Sequence, residues 1–158
     1  MKKNEKTNVM RLLDSKKIKY NSFFFDQTKA VSGVEAAAIL NKNPEQVFKT
    51  LVTVGKSGRH YVFVIPVAKE LDLKKAAEAA GEKHIEMIKE KELLPLTGYV
   101  HGGCSPIGMK KLFKTTIDTS CENLNTIIFS AGKIGCQVEL SLQELEKAVP
   151  FQTADLAI

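Results

Sequence analysis

The stretch from Phe48 to Val67 restricts the fold more than any other part of the chain. Phe48–Val54 and His60–Val67 are rich in β-branched and aromatic residues, and Gly55-Lys56-Ser57-Gly58 lies between them. Such side chains suit a pleated surface, and a short polar stretch bounded by glycines reverses the chain. The pattern predicts a β-hairpin that every other element has to accommodate.

On the amino-terminal side, Val9, Leu12 and Leu13 with outward Lys16 and Lys17 predict an amphipathic helix over residues 5–17. Tyr20–Phe25 reads as an aromatic-rich strand. Ser32-Gly33-Val34-Glu35 has capping-box spacing and leads into a helix through Ala36–Leu40. Asn43-Pro44 is expected to cap and start a further short helix. Beyond the hairpin, Leu73–Ala80 predicts a helix stopped by Gly81. Ile85–Met87 predicts a short strand, and Lys89–Leu94 a helical turn closed by Pro95. Thr115–Thr119, Thr126–Ser130 and Cys136–Leu140 predict strands, with a turn over Ala131–Gly135. Ser141-Leu142-Gln143-Glu144 repeats the capping-box pattern and opens a last helix to Ala148. No repeat or linker divides the sequence, so residues 1–158 are expected to form one domain. The interleaving predicts an α/β (α+β) fold built on a mixed sheet or barrel.

Charge and cysteine usage narrow the function classes. Twenty-three Lys and Arg against eighteen Asp and Glu give a formal net charge of +5. That balance agrees with a polyanionic partner, and equally with an ordinary soluble protein. Met1-Lys2-Lys3 is followed by polar residues, so no secretory signal is expected, and apolar runs such as Tyr61–Ile65 are too short to cross a bilayer. Cys104, Cys121 and Cys136 are odd in number and lack Cys-x-x-Cys spacing. This argues against a disulfide framework or a zinc knuckle and points to the reducing cytoplasm. No metal ligand set and no cofactor is expected.

Three stretches carry chemistry. Gly102-Gly103-Cys104-Ser105-Pro106-Ile107-Gly108 lets a ligand approach the backbone, and successive amides in such a turn hold an anion or a developing oxyanion. Its spacing is neither that of a Walker loop nor that of a dinucleotide fingerprint, and a plain tight turn fits it as well. In Phe48-Lys49-Thr50, a lysine sits between apolar residues of a strand. Burying an ammonium is costly without an anion, although alternation also allows Lys49 a solvent-facing position. Phe129-Ser130-Ala131-Gly132-Lys133-Ile134-Gly135 again combines small residues, a hydroxyl and a cation, and alone reads as a β-turn. His101 three residues before Cys104 suggests a base and a thiol nucleophile, but reactive pairs are set in space rather than in sequence. A free cysteine is usually a small buried hydrophobe, as Cys121 and Cys136 are expected to be. His60 and His84 lack ligand spacing, and Asp118 and Glu139 are not paired in sequence.

Taken together and in this order, the three stretches resemble the YbaK/EbsC family of stand-alone Cys-tRNA(Pro) deacylases. That family is related to the editing domain of bacterial prolyl-tRNA synthetases, and the likeness covers nearly the whole chain. It implies a mixed β-barrel-like sheet surrounded by helices, with a pocket where the three motifs meet. It implies a trans-editing enzyme acting on tRNA(Pro) mischarged with cysteine, and on tRNA(Cys). By the same resemblance Lys49 anchors the terminal adenosine or its phosphate, and the Gly102–Gly103 backbone binds the aminoacyl carbonyl. Phe48, Thr50, Tyr20, Ser105, Pro106, Ser130 and Gly132 are the implied substrate contacts. Ala131 and Ile134 depart from the pattern, where relatives show glycine and arginine, and Gln137 stands where some members carry an acidic residue.

The residues supply no convincing nucleophile–base pair, which leaves positioning and oxyanion stabilisation to the protein. The family's reading is that the substrate thiol attacks its own ester and leaves as a cyclic thiolactone, with water attack as the competing route. Three alternatives remain at this level: a non-catalytic module binding aminoacyl-tRNA or another oligonucleotide, a deacylase for another small amino acid, and a thiol enzyme using Cys104. Prolyl-tRNA synthetase is the implied partner for recognition of the tRNA body. Lys2, Lys3, Lys16, Lys17 and Lys19 are candidates for the acceptor stem, or else a solvated helix face.

Overall fold

A computed structural model of the protein describes residues 5–25 and 32–158. In chain order the elements are α1 (Asn8–Ser15), β1 (Asn21–Phe24), α2 (Gly33–Ile39), β2 (Phe48–Gly55), β3 (His60–Pro66), α3 (Leu73–Ala80) and β4 (Ile85–Met87). They continue as α4 (Glu90–Thr97), β5 (Lys114–Asp118), a 3-10 turn (Thr119–Asn123), β6 (Ile127–Lys133), β7 (Cys136–Leu140), α5 (Leu142–Glu146) and β8 (Gln152–Ala154).

The hairpin forms as expected and is the spine of the molecule. β2 and β3 pair antiparallel from Phe48↔Pro66 to Val54↔His60, in the middle of a five-stranded sheet ordered β4-β2-β3-β5-β8. A second sheet of three strands is ordered β1-β7-β6. The two sheets meet at a parallel bridge between Val47 and Ile128, where the Ile128 amide donates to the Gln46 carbonyl at 3.0 Å. The Gln46 side chain donates to Thr126 Oγ1 and Glu139 Oε2, which reinforces the join. The strands therefore form two sheets hinged at one bridge, with no closed barrel among the described residues.

Alternation along β2 and β3 sends side chains into two cores. Phe48, Val52, Val62 and Val64 enter the main core with Phe129, Val138 and Leu140 of the smaller sheet and Val9, Met10 and Leu13 of α1. Phe63 and Ile65 face Ala76 and Ala77 of α3 in a second core. Full burial of each such aliphatic side chain contributes about 1.5–3 kcal/mol. Helix starts follow the sequence signals: Thr7 Oγ1 accepts from the Met10 amide, and Ser32 with Glu35 forms the anticipated capping box.

Four local expectations differ from the structure. Asn43-Pro44 begins a single turn, not a helix: Asn43 Oδ1 accepts from the Glu45 amide, and the chain must extend at once so that Val47 can bridge Ile128. Pro95 lies inside α4, whose last turn persists because Thr97 Oγ1 donates to the Leu93 carbonyl and the Gly98 amide to the Leu94 carbonyl. β6 runs through Ala131 to Lys133 with a bulge after Ser130, so the turn expected over Ala131–Gly135 is confined to its end. β8 and the 3-10 turn were not foreseen; both gather around Asp118, whose carboxylate accepts from the Ser120, Leu156 and Ala157 amides.

Candidate functional site

The edge of β2 opens one wall of a pocket. The Val67 amide bonds to the Val47 carbonyl and the Gly55 amide to the Arg59 carbonyl, so Lys49 and Leu51 exchange main-chain bonds with β3. The intervening Thr50 directs its amide and carbonyl to the other side. There β4 pairs only with Thr53–Gly55, and the Ile88 amide takes the Val52 carbonyl. The strand edge at Thr50 is thus left open by β4.

A pocket of about 310 Å³ lies against this edge, lined by Phe48, Lys49, Thr50 and Leu51 of β2, Gly33 and Ala36 of α2, and Gly102 and Cys104 of the glycine-rich loop. Ser130, Lys133, Ile134 and Gln137 of the β6–β7 hairpin complete it with Phe25, Leu93 and His101. The three sequence motifs converge here. Two glycines explain how. Gly102 has φ 88°, a conformation that side-chain-bearing residues rarely adopt. At Gly103, an added Cβ would lie 3.2 Å from the Ile134 amide nitrogen, so the glycine-rich loop packs directly on the β6–β7 turn.

Not every anticipated contact lies in the lining. Ser105 is fully buried and its hydroxyl accepts from the Ile107 amide at 3.3 Å. Pro106 lines a separate, smaller recess. Gly132 packs against the Tyr99 ring. Tyr20 donates to Asp14 Oδ1 at 2.9 Å and packs against the main core, and burial followed by that carboxylate raises its phenol to about 12. Conversely, the sequence reading gave no substrate role to Lys133, Gln137 or Phe25, which do line the pocket. The period-two alternation from Ser130 and across the β6–β7 register was the signal that could have found Gln137, which lies directly opposite Ser130.

The electrostatics are one-sided. The side chain of Lys49, a half-buried residue, forms no hydrogen bond or ion pair among the described residues. Lys133 and His101 share the lining, and no described lining residue is a carboxylate. Two buried polar atoms of the pocket residues, Thr50 Oγ1 and Gln137 Oε1, lack a partner. Such orphans are uncommon in folded proteins and point to a missing ligand or solvent partner. Ser130 Oγ accepts from the Gly132 amide at 3.1 Å, which leaves its proton for donation.

No protein nucleophile is activated here. Burial pushes the Cys104 thiol up to about 12. His101 turns away from it toward Glu90 Oε1, 3.8 Å distant, with both side chains largely exposed. Cys121 is raised to about 12, first by burial and then by Glu122, and Cys136 is raised by burial. His84 faces Glu86 and not His60. Asp118 is engaged by backbone amides, and Glu139 by Gln46, Thr126 and Lys42, so neither serves the pocket as a free base. What the pocket offers is a cation, an open strand edge, a glycine-rich backbone and unpaired amide and hydroxyl groups. No helix of the described residues is long and apolar enough to cross a membrane. Lys2 and Lys3 lie outside the described residues; Lys16, Lys17 and Lys19 are exposed or nearly so.

Comparison with known proteins places these features in context. Residues 28–148 match the family described as the aminoacyl-tRNA editing domain. Over 156 residues the chain is 42% identical to a protein of Enterococcus faecalis (strain ATCC 700802 / V583) provisionally named Cys-tRNA(Pro)/Cys-tRNA(Cys) deacylase EbsC, covering 98% of this chain and 95% of that one. Among solved structures, a proposed trans-editing enzyme for prolyl tRNA synthetase superposes with a TM-score of 0.81 at 24% identity, over 98% of this chain and 99% of the other. The hypothetical protein APE2540 gives 0.83 at 24% identity, over 96% of this chain and all of the other. At that identity the structural likenesses establish the shared fold.

Proposed function

Because this chain belongs to the aminoacyl-tRNA editing domain family, we propose that it is a trans-editing deacylase that removes cysteine from mischarged tRNA(Pro), and from tRNA(Cys). The observation that carries the reading is the pocket itself. It is cationic and open along β2, and burial raises the thiols of both cysteines in its lining, Cys104 and Cys136, away from the reactive thiolate form. A site so built suits the anionic, ester-bearing end of a charged tRNA, and its chemistry is positioning rather than attack by the protein. The relative's name supports cysteine as the amino acid removed.

In this mechanism Lys49 pairs with a phosphate or hydroxyl of the terminal nucleotide through a charge-assisted contact. The backbone at Gly102, the glycine of the pair that lines the pocket, stabilises the oxyanion that develops on the ester carbonyl, while the Gly103 amide donates to the Val100 carbonyl at 3.0 Å and holds the loop in place. The substrate's own thiolate attacks that carbonyl. The carbon–oxygen bond to the ribose then breaks, the ribose oxygen takes up a proton, and a cyclic thiolactone leaves. Ser130 steadies the leaving end through its free hydroxyl proton, and Thr50 and Phe48 hold the substrate along the strand edge. The tRNA body is recognised in complex with prolyl-tRNA synthetase. Purified protein incubated with Cys-tRNA(Pro) tests the reading: it releases the amino acid, whereas a non-catalytic binding module would retain the charged tRNA intact.

A further inference from the structure

We infer that Gln137 reads the edge of the 3′-terminal adenine, so that the pocket recognises the base as well as the aminoacyl ester. The inference rests on the deacylase reading above. On β7, Cys136, Val138 and Leu140 point into the main core, which places Gln137 and Glu139 on the opposite face. Glu139 is fully engaged by Thr126, Gln46 and Lys42. Gln137 is not: its Oε1 is buried without a hydrogen-bond partner, and its side-chain amide makes no hydrogen bond among the described residues. A buried amide oxygen left unpaired carries the full cost of its lost hydration. Such a group in the wall of a pocket is suited to a ligand that returns the bond.

The chemistry of the lining selects that ligand. An amide presents an acceptor and a donor side by side, so its best complement presents a donor beside an acceptor. An ammonium would meet Lys49 and Lys133 with no carboxylate among the described lining residues. A phosphate or carboxylate would leave Oε1 unsatisfied. Adenine matches, because its 6-amino group donates to an amide oxygen while an adjacent ring nitrogen accepts from the amide nitrogen. Phe25 in the same lining supplies an aromatic ring, the kind of side chain on which an unstacked base stacks. Ser130, directly across the β6–β7 ladder from Gln137, adds a free hydroxyl proton for the ribose. Every charged tRNA ends in adenosine, so this contact serves affinity and orientation and leaves amino-acid choice to other groups.

The test uses Cys-tRNA(Pro) whose terminal adenosine is either retained or replaced by purine riboside, which lacks only the 6-amino group. Wild-type protein should cleave the adenosine form about 10-fold faster in kcat/KM, the lower part of the range of a bidentate base contact, because the purine form keeps the ring-nitrogen bond. Gln137→Leu should lower the adenosine rate to the wild-type purine rate or below it, lower the purine rate by the smaller amount of the remaining ring-nitrogen bond, and abolish the preference for adenosine over purine. Gln137→Met, of similar length and apolar, should behave alike, with thermal melting of both variants confirming that they fold. Equal wild-type rates on the two substrates would overturn the inference, as would an undiminished preference for adenosine in both variants. Absence of cleavage of either substrate by wild type would instead overturn the deacylase reading itself.

Discussion

Replacing Cys104 separates a protein nucleophile from a substrate nucleophile. Burial raises this thiol to about 12, so at pH 7.5 roughly 3 in 100,000 molecules carry the thiolate. An ordinary thiol of pKa about 8.5, such as that of a bound cysteine ester, is about one-tenth ionised. The difference in nucleophile population is about 3,000-fold. Greater basicity restores roughly 1.5 orders of magnitude in reactivity, which leaves Cys104 about 100-fold disadvantaged. Cys104→Ala should therefore keep kcat/KM for Cys-tRNA(Pro) within about threefold, measured by release of radiolabelled cysteine. Its cost is in packing, because Cys104 belongs to the main core: about 1 kcal/mol, or a Tm lower by roughly 2–4 °C. Iodoacetamide should alkylate native Cys104 far more slowly than free cysteine and leave activity intact. A loss of more than about tenfold in Cys104→Ala with unchanged melting would refute the reasoning, as would rapid inactivation by iodoacetamide.

The remaining expectations concern the cation and the fold. Lys49→Ala and Lys49→Met should each lower kcat/KM by about 10- to 100-fold, the loss of one charge-assisted contact of roughly 1.5–3 kcal/mol. Tm should stay within about 2 °C, because the Lys49 side chain makes no hydrogen bond or ion pair among the described residues; activity within threefold of wild type would count against its role. Asp118→Ala removes the acceptor shared by the Ser120, Leu156 and Ala157 amides and should cost about 2–4 kcal/mol in denaturant unfolding. Burial favours the protonated form of Asp118, but those donors outweigh it and hold the carboxyl below its usual value. Its stabilisation is therefore complete above the unfolded-state pKa and is lost as pH falls through the lower folded one. The stability gap between wild type and Asp118→Ala should narrow on acidification below about pH 4; a gap that widened would contradict that assignment.

Much of the architecture was written in local signals. Leu73–Ala80 with Gly81, the Ser32–Glu35 capping box and the Phe48–Val67 hairpin all depend on contacts within a few residues, and all form where periodicity and capping place them. Features missed depend on distant partners. Val47 is held extended by its bridge to Ile128 and by the Val67 amide, and Asn43-Pro44 cannot grow into a helix for the same reason. β8 exists because residues 152–154 pair beside β5, which no local pattern announces. The same holds within the site. Phe48-Lys49-Thr50, Gly102 and Ser130 were visible as motifs, and the structure brings them to one pocket. Tyr20, Ser105, Pro106 and Gly132 satisfy neighbours outside that lining, where their hydroxyl groups or shapes are already engaged. Gln137 and Lys133 enter it through the β6–β7 register and its bulge, which depend on cross-strand pairing.

The central claim is that the pocket positions an ester for attack by the substrate's own thiol. The most direct measurement is the rate of amino-acid release from tRNA(Pro) charged with cysteine, alanine or serine, with identification of the product. Release from Cys-tRNA should be at least about 100-fold faster than from Ala-tRNA or Ser-tRNA, a floor well below the advantage of a well-oriented intramolecular attack, with a thiolactone as the first product. Equal rates on the three substrates, with the free amino acid as the first product, would contradict it.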